Sequence, residues 1–95
     1  LRRRMRAILA DGWKHRAVRD GGPYDLVFAN ILARPLCSMA RDLADHLKPG
    51  GVAILAGLLD RQVRMVLAAH RAQGLVLERH IVLEPWATLV LRRRG

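Results

Sequence analysis

Tyr24-Asp25-Leu26-Val27-Phe28-Ala29-Asn30-Ile31-Leu32-Ala33 is the stretch on which the reading of this chain turns. From Leu26 to Ala29 it is apolar at every position. A strand with one wet face would alternate; an unbroken apolar run is how a strand covered on both faces of a parallel sheet reads. Asn30 then places an amide where the run stops. Beyond it the period changes: Leu32, Leu36, Met39, Leu43 and Leu47 recur at spacings of three and four, making one apolar stripe on a helix, with Arg34, Arg41, Asp42 and Asp45 off the stripe. Pro35 falls in the first turn, where its missing N–H costs little. Lys48-Pro49-Gly50-Gly51 stops the helix with a cation, a proline and glycines.

Working outward, Val52 to Leu59 reads as a second buried strand, and Asp60 as the cap of a second helix. The inner face of that helix is Val63, Val66, Leu67 and His70, and Gly74 ends it. Leu75 to Leu83 is strand-like, Glu84-Pro85 turns the chain, and Trp86 to Leu91 is a last strand, with Trp86 as a core anchor. Upstream, Met5 to Ala10 reads as a short strand and Gly12 to Pro23 as a polar loop. Alternating strands and helices imply parallel strands joined by right-handed crossovers. The tight Glu84-Pro85 turn makes the final pair antiparallel. The expected fold class is α/β: a partial Rossmann-like sheet, mostly parallel, with an antiparallel last strand, formed by residues 1–95 as a single partial domain.

Two successive right-handed crossovers in one direction put both helices on one face of the sheet. The strands nevertheless read as buried on both faces, and nothing in the sequence obviously covers the second one. The expectation is a chain that is a piece of a larger domain, or one that self-associates through its uncovered sheet face. Leu1 in place of an initiator Met implies either a processed start or a piece of something longer.

Composition narrows the function classes. The chain has 95 residues, 52% of them apolar and only 4% aromatic, so its core must be aliphatic and disorder is excluded. The net charge is +9, carried almost wholly by arginine, with Arg2-Arg3-Arg4 at one end and Arg92-Arg93-Arg94 at the other. Such charge favours an anionic partner, although arginine runs at chain ends are commonly solvated tails. One cysteine, Cys37, precludes an internal disulfide and fits a reducing, cytoplasmic setting. No stretch reaches the roughly 18 uncharged apolar residues of a membrane span, and the arginines at the N-terminus are followed by no apolar segment of the kind a secretion signal needs.

In an open α/β sheet the ligand lies beyond the carboxyl ends of the parallel strands. Asp11-Gly12, Asn30 and Gly57 fall there. The amide oxygen of Asn30, with nearby backbone carbonyls, could accept the N–H bonds of an amine and aim its lone pair at an electrophile, a positioning role. Asn30 could equally be no more than the cap of the following helix. Asp11 could accept a hydrogen bond from an exocyclic amine such as adenine's, or be part of an ordinary Asp-Gly turn. His15, His46, His70 and His80 show no metal-ligand spacing, His70 reads as a half-buried core residue, and Cys37 has no histidine to activate it. No Gly-x-Gly-x-x-Gly turn opens a helix anywhere in the chain.

Tyr24 to Ala33, with Leu47-Lys48-Pro49-Gly50-Gly51, the run Ile54 to Leu59 and the late Trp86, resembles the ribosomal protein L11 methyltransferase family (PrmA type). The Asn30-Ile31-Leu32-Ala33 core is the specific part; Lys-Pro-Gly-Gly is common to most class I methyltransferases. The resemblance extends from about Ala10 to Leu91. It implies the C-terminal half of a seven-stranded class I sheet, with S-adenosylmethionine as cofactor and lysine or N-terminal amines of a large-subunit ribosomal protein as acceptors. Asn30 would be catalytic, beside the methyl group and target amine, and would also contact the cofactor; Asp11 and Gly12 would lie near its adenine. In the full sheet two further strands would separate this chain's first strand from its second. The glycine motif, the ribose-binding acid and the family's N-terminal recognition domain are not in the chain, so it is expected to be inactive alone. Position 57 departs mildly, reading Gly-Leu-Leu after Ala56 where Ser-Gly-Ile is common.

Two other functions fit the residues less well. A non-catalytic basic module could bind ribosome or nucleic acid through its arginines. Another class I methyltransferase could act on an amide or a nucleobase amine, but such enzymes follow the asparagine with Pro-Pro and an aromatic that stacks on the target, and here Ile31 and Leu32 follow. Nucleic acid is therefore not expected as the direct substrate, nor a membrane as a partner.

Overall fold

A computed structural model of the chain describes the backbone of Ala7–Leu9 and residues 23–94 in full. The elements run β1 (Ala7–Leu9), β2 (Tyr24–Asn30), α1 (Ala33–Ser38), α2 (Ala40–His46), β3 (Leu47–Leu59), a 3-10 turn (Asp60–Gln62), α3 (Val63–Arg71), β4 (Leu75–Leu83) and β5 (Trp86–Arg93). They form one five-stranded sheet in the order β1-β2-β3-β5-β4. β1, β2 and β3 are parallel neighbours, and β5 is antiparallel to both β3 and β4. Four strands thus point one way and the last one is reversed, as the sequence pattern requires.

β1 lies directly against β2, with Ala7, Ile8 and Leu9 opposite Val27, Phe28 and Ala29. This differs from the class I sheet, in which two strands intervene. The edge of β2 carries unpaired N–H and C=O groups, and in this chain the nearest apolar segment satisfies them. The flanks of the expected first strand, Met5 and Ala10, and the expected loop from residue 12 to 22 lie outside the described residues.

The helices share one face. Ala33, Leu36, Leu43 and Ala44 of α1 and α2, with Val63 and Val66 of α3, pack in one cluster with Val27, Ala29, Ala53, Leu55, Leu75, Leu89 and Leu91 of the strands. Val27, Ala53, Leu55, Leu89 and Leu91 are completely shielded from solvent. The alternate positions, Leu26, Phe28, Val52, Ile54, Val76 and Val90, are only half-buried, and no described helix lies over them. Among the described residues, all the helices therefore lie on one face of the sheet, as right-handed crossovers require.

Local chemistry adjusts the expected elements. The long helix is two short ones. Ser38 Oγ donates to the Arg34 carbonyl at 3.3 Å, a back-bond that bends helices, and the Met39 N–H is shared between the carbonyls of Pro35 (3.0 Å) and Leu36 (3.2 Å). The buried stripe begins at Ala33, not Leu32: Leu32 is extended before the first turn and is 74% exposed. The helix ends at His46, and Lys48-Pro49-Gly50-Gly51 sits within β3. There the pairing jumps from Tyr24↔Leu47 to Leu26↔Val52, so these residues bulge out of the ladder, with Gly50 at φ +79°. Asp60 does not cap the second helical segment. Its Oδ1 pairs with His80 Nε2 at 3.2 Å, while the Leu59 N–H donates to Gln62 Oε1 at 2.9 Å. Trp86 is not a core anchor either, being 55% exposed. Along β5, Ala87, Leu89 and Leu91 are the buried positions, and strand alternation puts Trp86 on the opposite, helix-free face.

His70 is more deeply set than its pattern suggested, with no solvent exposure. Its Nδ1 N–H donates to the Val66 carbonyl at 2.7 Å, while Nε2 is buried with no partner. Burial lowers its pKa below the ordinary 6.5, and the Val66 bond opposes that only partly. The unfolded chain therefore binds the proton more readily than the folded one. The resulting stability is whole above about pH 6.5 and is lost as pH falls from there through the lowered folded value. The urea midpoint is expected to be flat above neutrality and to decline in acid, by at most about 1.4 kcal/mol per pH unit for this one group. A His70→Leu variant should shed that part of the decline; an unaltered acid dependence would remove His70 as its source.

Candidate functional site

The carboxyl ends of β2, β3 and β4 lie at one end of the sheet, because β4 and β3 are both antiparallel to β5. Asn30 closes β2 there, in register with Ala56 of β3. It is exposed, while Ala29 before it is fully buried, so the amide stands where the apolar core gives way to solvent.

The structure separates the two roles open to Asn30. The residue preceding α1 is Leu32, and the helix start has no side-chain cap bond. Asn30 is therefore not a helix cap. Its amide instead lies across Gly57 of the neighbouring strand. A Cβ at Gly57 would overlap Asn30 Oδ1 and stand 3.6 Å from its Cγ and 3.7 Å from the Ile31 carbonyl. Gly57 also has φ +79°, in the left-handed region that side chains disfavour. The absence of a side chain at position 57 leaves room at the strand end for the Asn30 amide oxygen, with the Ile31 carbonyl also near that space. Both are acceptors, suited to the N–H groups of an amine.

Gly57, which sequence reasoning placed at this strand end, gains a neighbour there in Asn30. Its signal was a lone glycine inside the apolar run Ile54–Leu59, which often marks a close backbone approach. Asp11 and Gly12 lie outside the described residues. Around the same end stand exposed apolar side chains: Leu32 beyond β2, Leu83 at the end of β4 (76% exposed) and Trp86 at the start of β5.

Other titratable groups do not converge here. Cys37 is half-buried on α1; its Sγ faces the Met65 carbonyl at 3.8 Å, and burial raises its pKa, which disfavours the thiolate. Glu78 is held by Arg92 through bonds of 2.6 and 3.0 Å, and that contact lowers its pKa. Among the described residues no group of three or more His, Cys, Asp or Glu could hold a metal ion, and no helix is long and apolar enough to cross a membrane.

A mostly parallel sheet with a reversed strand inserted next to last is the strand arrangement of class I methyltransferases. Solved structures agree. A ribosomal protein L11 methylase from Lactobacillus delbrueckii subsp. bulgaricus superposes with TM-score 0.70 at 27% identity, over 75% of this chain and 37% of that one. The M1.HpyAVI–SAM complex shares the fold with TM-score 0.70 at 14% identity, over 95% of this chain and 56% of that one. The family model for ribosomal protein L11 methyltransferase (PrmA) matches residues 4–94, and the chain belongs to that family. A ribosomal protein L11 methyltransferase from Caulobacter sp. (strain K31) is 54% identical over 86 residues, which is 90% of this chain and 30% of that protein. The chain thus spans about a third of the length of the curated relatives it matches.

The Asn30–Gly57 contact predicts a coupling that equilibrium unfolding can read. Gly57→Ala is expected to cost about 2 kcal/mol or more, since a left-handed backbone alone costs a side chain about 1–2 kcal/mol and the overlap with Asn30 adds to it. Gly57→Ala combined with Asn30→Ala should be less destabilised than the sum of the single changes, because removing the amide relieves the overlap. Strict additivity would show that the two residues do not touch.

Proposed function

We infer that this chain is the C-terminal part of an S-adenosylmethionine-dependent protein methyltransferase that acts on an amine of ribosomal protein L11, with Asn30 as its catalytic asparagine. The observation that carries the reading is the Asn30 amide held over Gly57 at the carboxyl end of the sheet. When bound, S-adenosylmethionine supplies a methyl group on a sulfonium, which an amine takes by in-line displacement. The chain's own residues orient that amine. Asn30 Oδ1 and the Ile31 carbonyl accept its N–H bonds, which leaves the nitrogen lone pair directed outward from the strand end. The absent side chain at position 57 leaves the space in which the amide sits. Asp11 and Gly12 complete the cofactor side near the adenine.

The surroundings favour a protein acceptor. Leu32, Leu83 and Trp86 are apolar and exposed at the same end, a rim on which a folded protein surface can rest. No aromatic follows Asn30 to stack on a planar base. Cofactor affinity of these 95 residues alone is expected to be weak, because the sequence contains no glycine-rich nucleotide turn.

Titration of the chain with S-adenosylmethionine, followed by amide NMR, tests this. Shifts are expected at Asn30, Ile31, Ala56 and Gly57, and they should fade in Asn30→Ala. In any form of the protein long enough to methylate L11, Asn30→Ala should lower the turnover by about a hundredfold, the scale of a misplaced reactant, with KM for L11 little changed. Shifts confined to other parts of the sheet, or a fully active Asn30→Ala, would defeat the assignment.

A further inference from the structure

The opposite end of the sheet carries a half-open depression. Where α3 ends and β4 begins, a cavity of about 370 Å³ is lined by Arg71, Ala72, Gly74, Leu75, Val76 and Arg94. Two elements far apart in sequence bring their guanidinium-bearing residues to it. Arg71 is the last residue of α3, and Arg94 follows β5, its N–H donating to the Gly74 carbonyl at 3.4 Å. Gly74 lies in the left-handed region at φ +86°, with open space where a side chain would stand. Nothing in the reading of Asn30 uses this end.

Arg71 and Arg94 are exposed, and neither meets a carboxylate among the described residues. Glu78, two residues along β4 from Val76, is taken by Arg92. From Arg61 to Gln73 the sequence holds no acidic residue, and Asp60 before it is paired with His80. Arg61, Arg64 and Arg71 are exposed and fall within one side of α3 and its leading turn, a row of about 15 Å at 1.5 Å per residue. The C-terminal end of α3 contributes about half a negative charge, which two full guanidinium charges outweigh. An arginine in the last turn also stabilises its own helix, but that accounts for Arg71 and not for Arg61, Arg64 or Arg94.

We propose that the cavity between Arg71 and Arg94 is a phosphate site, and that the arginine row of α3 continues it as a docking surface for the phosphate backbone of nucleic acid. Guanidinium forks match phosphate oxygens bidentately and their planes stack on bases, a combination that suits nucleic acid better than a carboxylate-bearing protein. The surface is independent of the methyl-transfer end, so each can fail without the other.

The test is fluorescence anisotropy of a labelled oligouridylate bound by the whole chain between about 50 and 200 mM salt. Arg71→Gln with Arg94→Gln is expected to reduce the slope of log affinity against log salt by about 1.4, the share of two single-strand phosphate contacts. The matched pair Arg34→Gln with Arg41→Gln, on the outer side of α1 and α2, should leave the slope near that of the parent. Inorganic phosphate should shift the amides of Ala72 to Val76. If the glutamine pair is unfolded by circular dichroism, Arg94→Gln alone serves, with an expected change of about 0.7. An equal loss from the Arg34 and Arg41 pair would reduce the site to diffuse charge and overturn the proposal. So would an unchanged slope in the Arg71 and Arg94 pair, or polyglutamate binding as tightly as the oligonucleotide, which would make an acidic protein the occupant.

Discussion

β3 is paired on both sides, parallel to β2 and antiparallel to β5, and the rest of the fold depends on that double pairing. Its inward residues Ala53, Leu55 and Leu58 lie at the floor of the core, fully shielded. The helices that cover them are placed by the crossovers on either side: α1 and α2 lead into β3, and the 3-10 turn with α3 leads out of it. A reversed strand beside β3 also sets the direction of β4. Without it, the carboxyl ends of β2, β3 and β4 would not share one end of the sheet, and Asn30 and the apolar rim would not face the same solvent.

The two ends of the sheet are chemically unlike. Around Asn30 the carboxyl end presents an amide, backbone carbonyls and exposed apolar side chains, with Asp60 paired to His80 beyond β3 and Glu84 in the turn after β4. The amino end gathers charge. Arg92 and Arg93 donate to the carbonyls of Gly50 and Leu47 and so fasten the bulge of β3, while Lys48 lies 3.6 Å from Asp25. Part of the chain's excess arginine is therefore structural, holding a loop of Pro and Gly that has no ladder bonds of its own. Among the described residues, Arg34, Arg41, Arg61, Arg64, Arg71, Arg79 and Arg94 are exposed and take no part in that fastening.

Much of this was legible in the sequence, and the failures have local causes. The apolar run of β2, the stripe of α3 and the reversed last strand follow from periodicity and turn chemistry, which tertiary contacts here reinforce. The end of the strand at Asn30 was readable because an amide after four apolar residues has few other places to be. Trp86 misled because size is a poor guide to burial at the first position of a strand, where alternation alone decides the face. Leu32 misled because the helical period extends into residues that precede the first turn. Asp60 was a sound cap by type, but His80 from β4 competed for its carboxylate, a contact twenty positions away that no local pattern records. The partnership of Asn30 with Gly57 was hidden for the same reason: it joins two strands across a register that only folding sets.

That partnership is asymmetric under sequence drift. Asn30 can be exchanged for any smaller residue and position 57 is undisturbed. A single base change that gives position 57 even a methyl group pushes against the amide of the neighbouring strand. In this chain the strand end therefore tolerates change at position 30 more readily than at position 57, where a left-handed backbone and the facing amide both oppose a side chain.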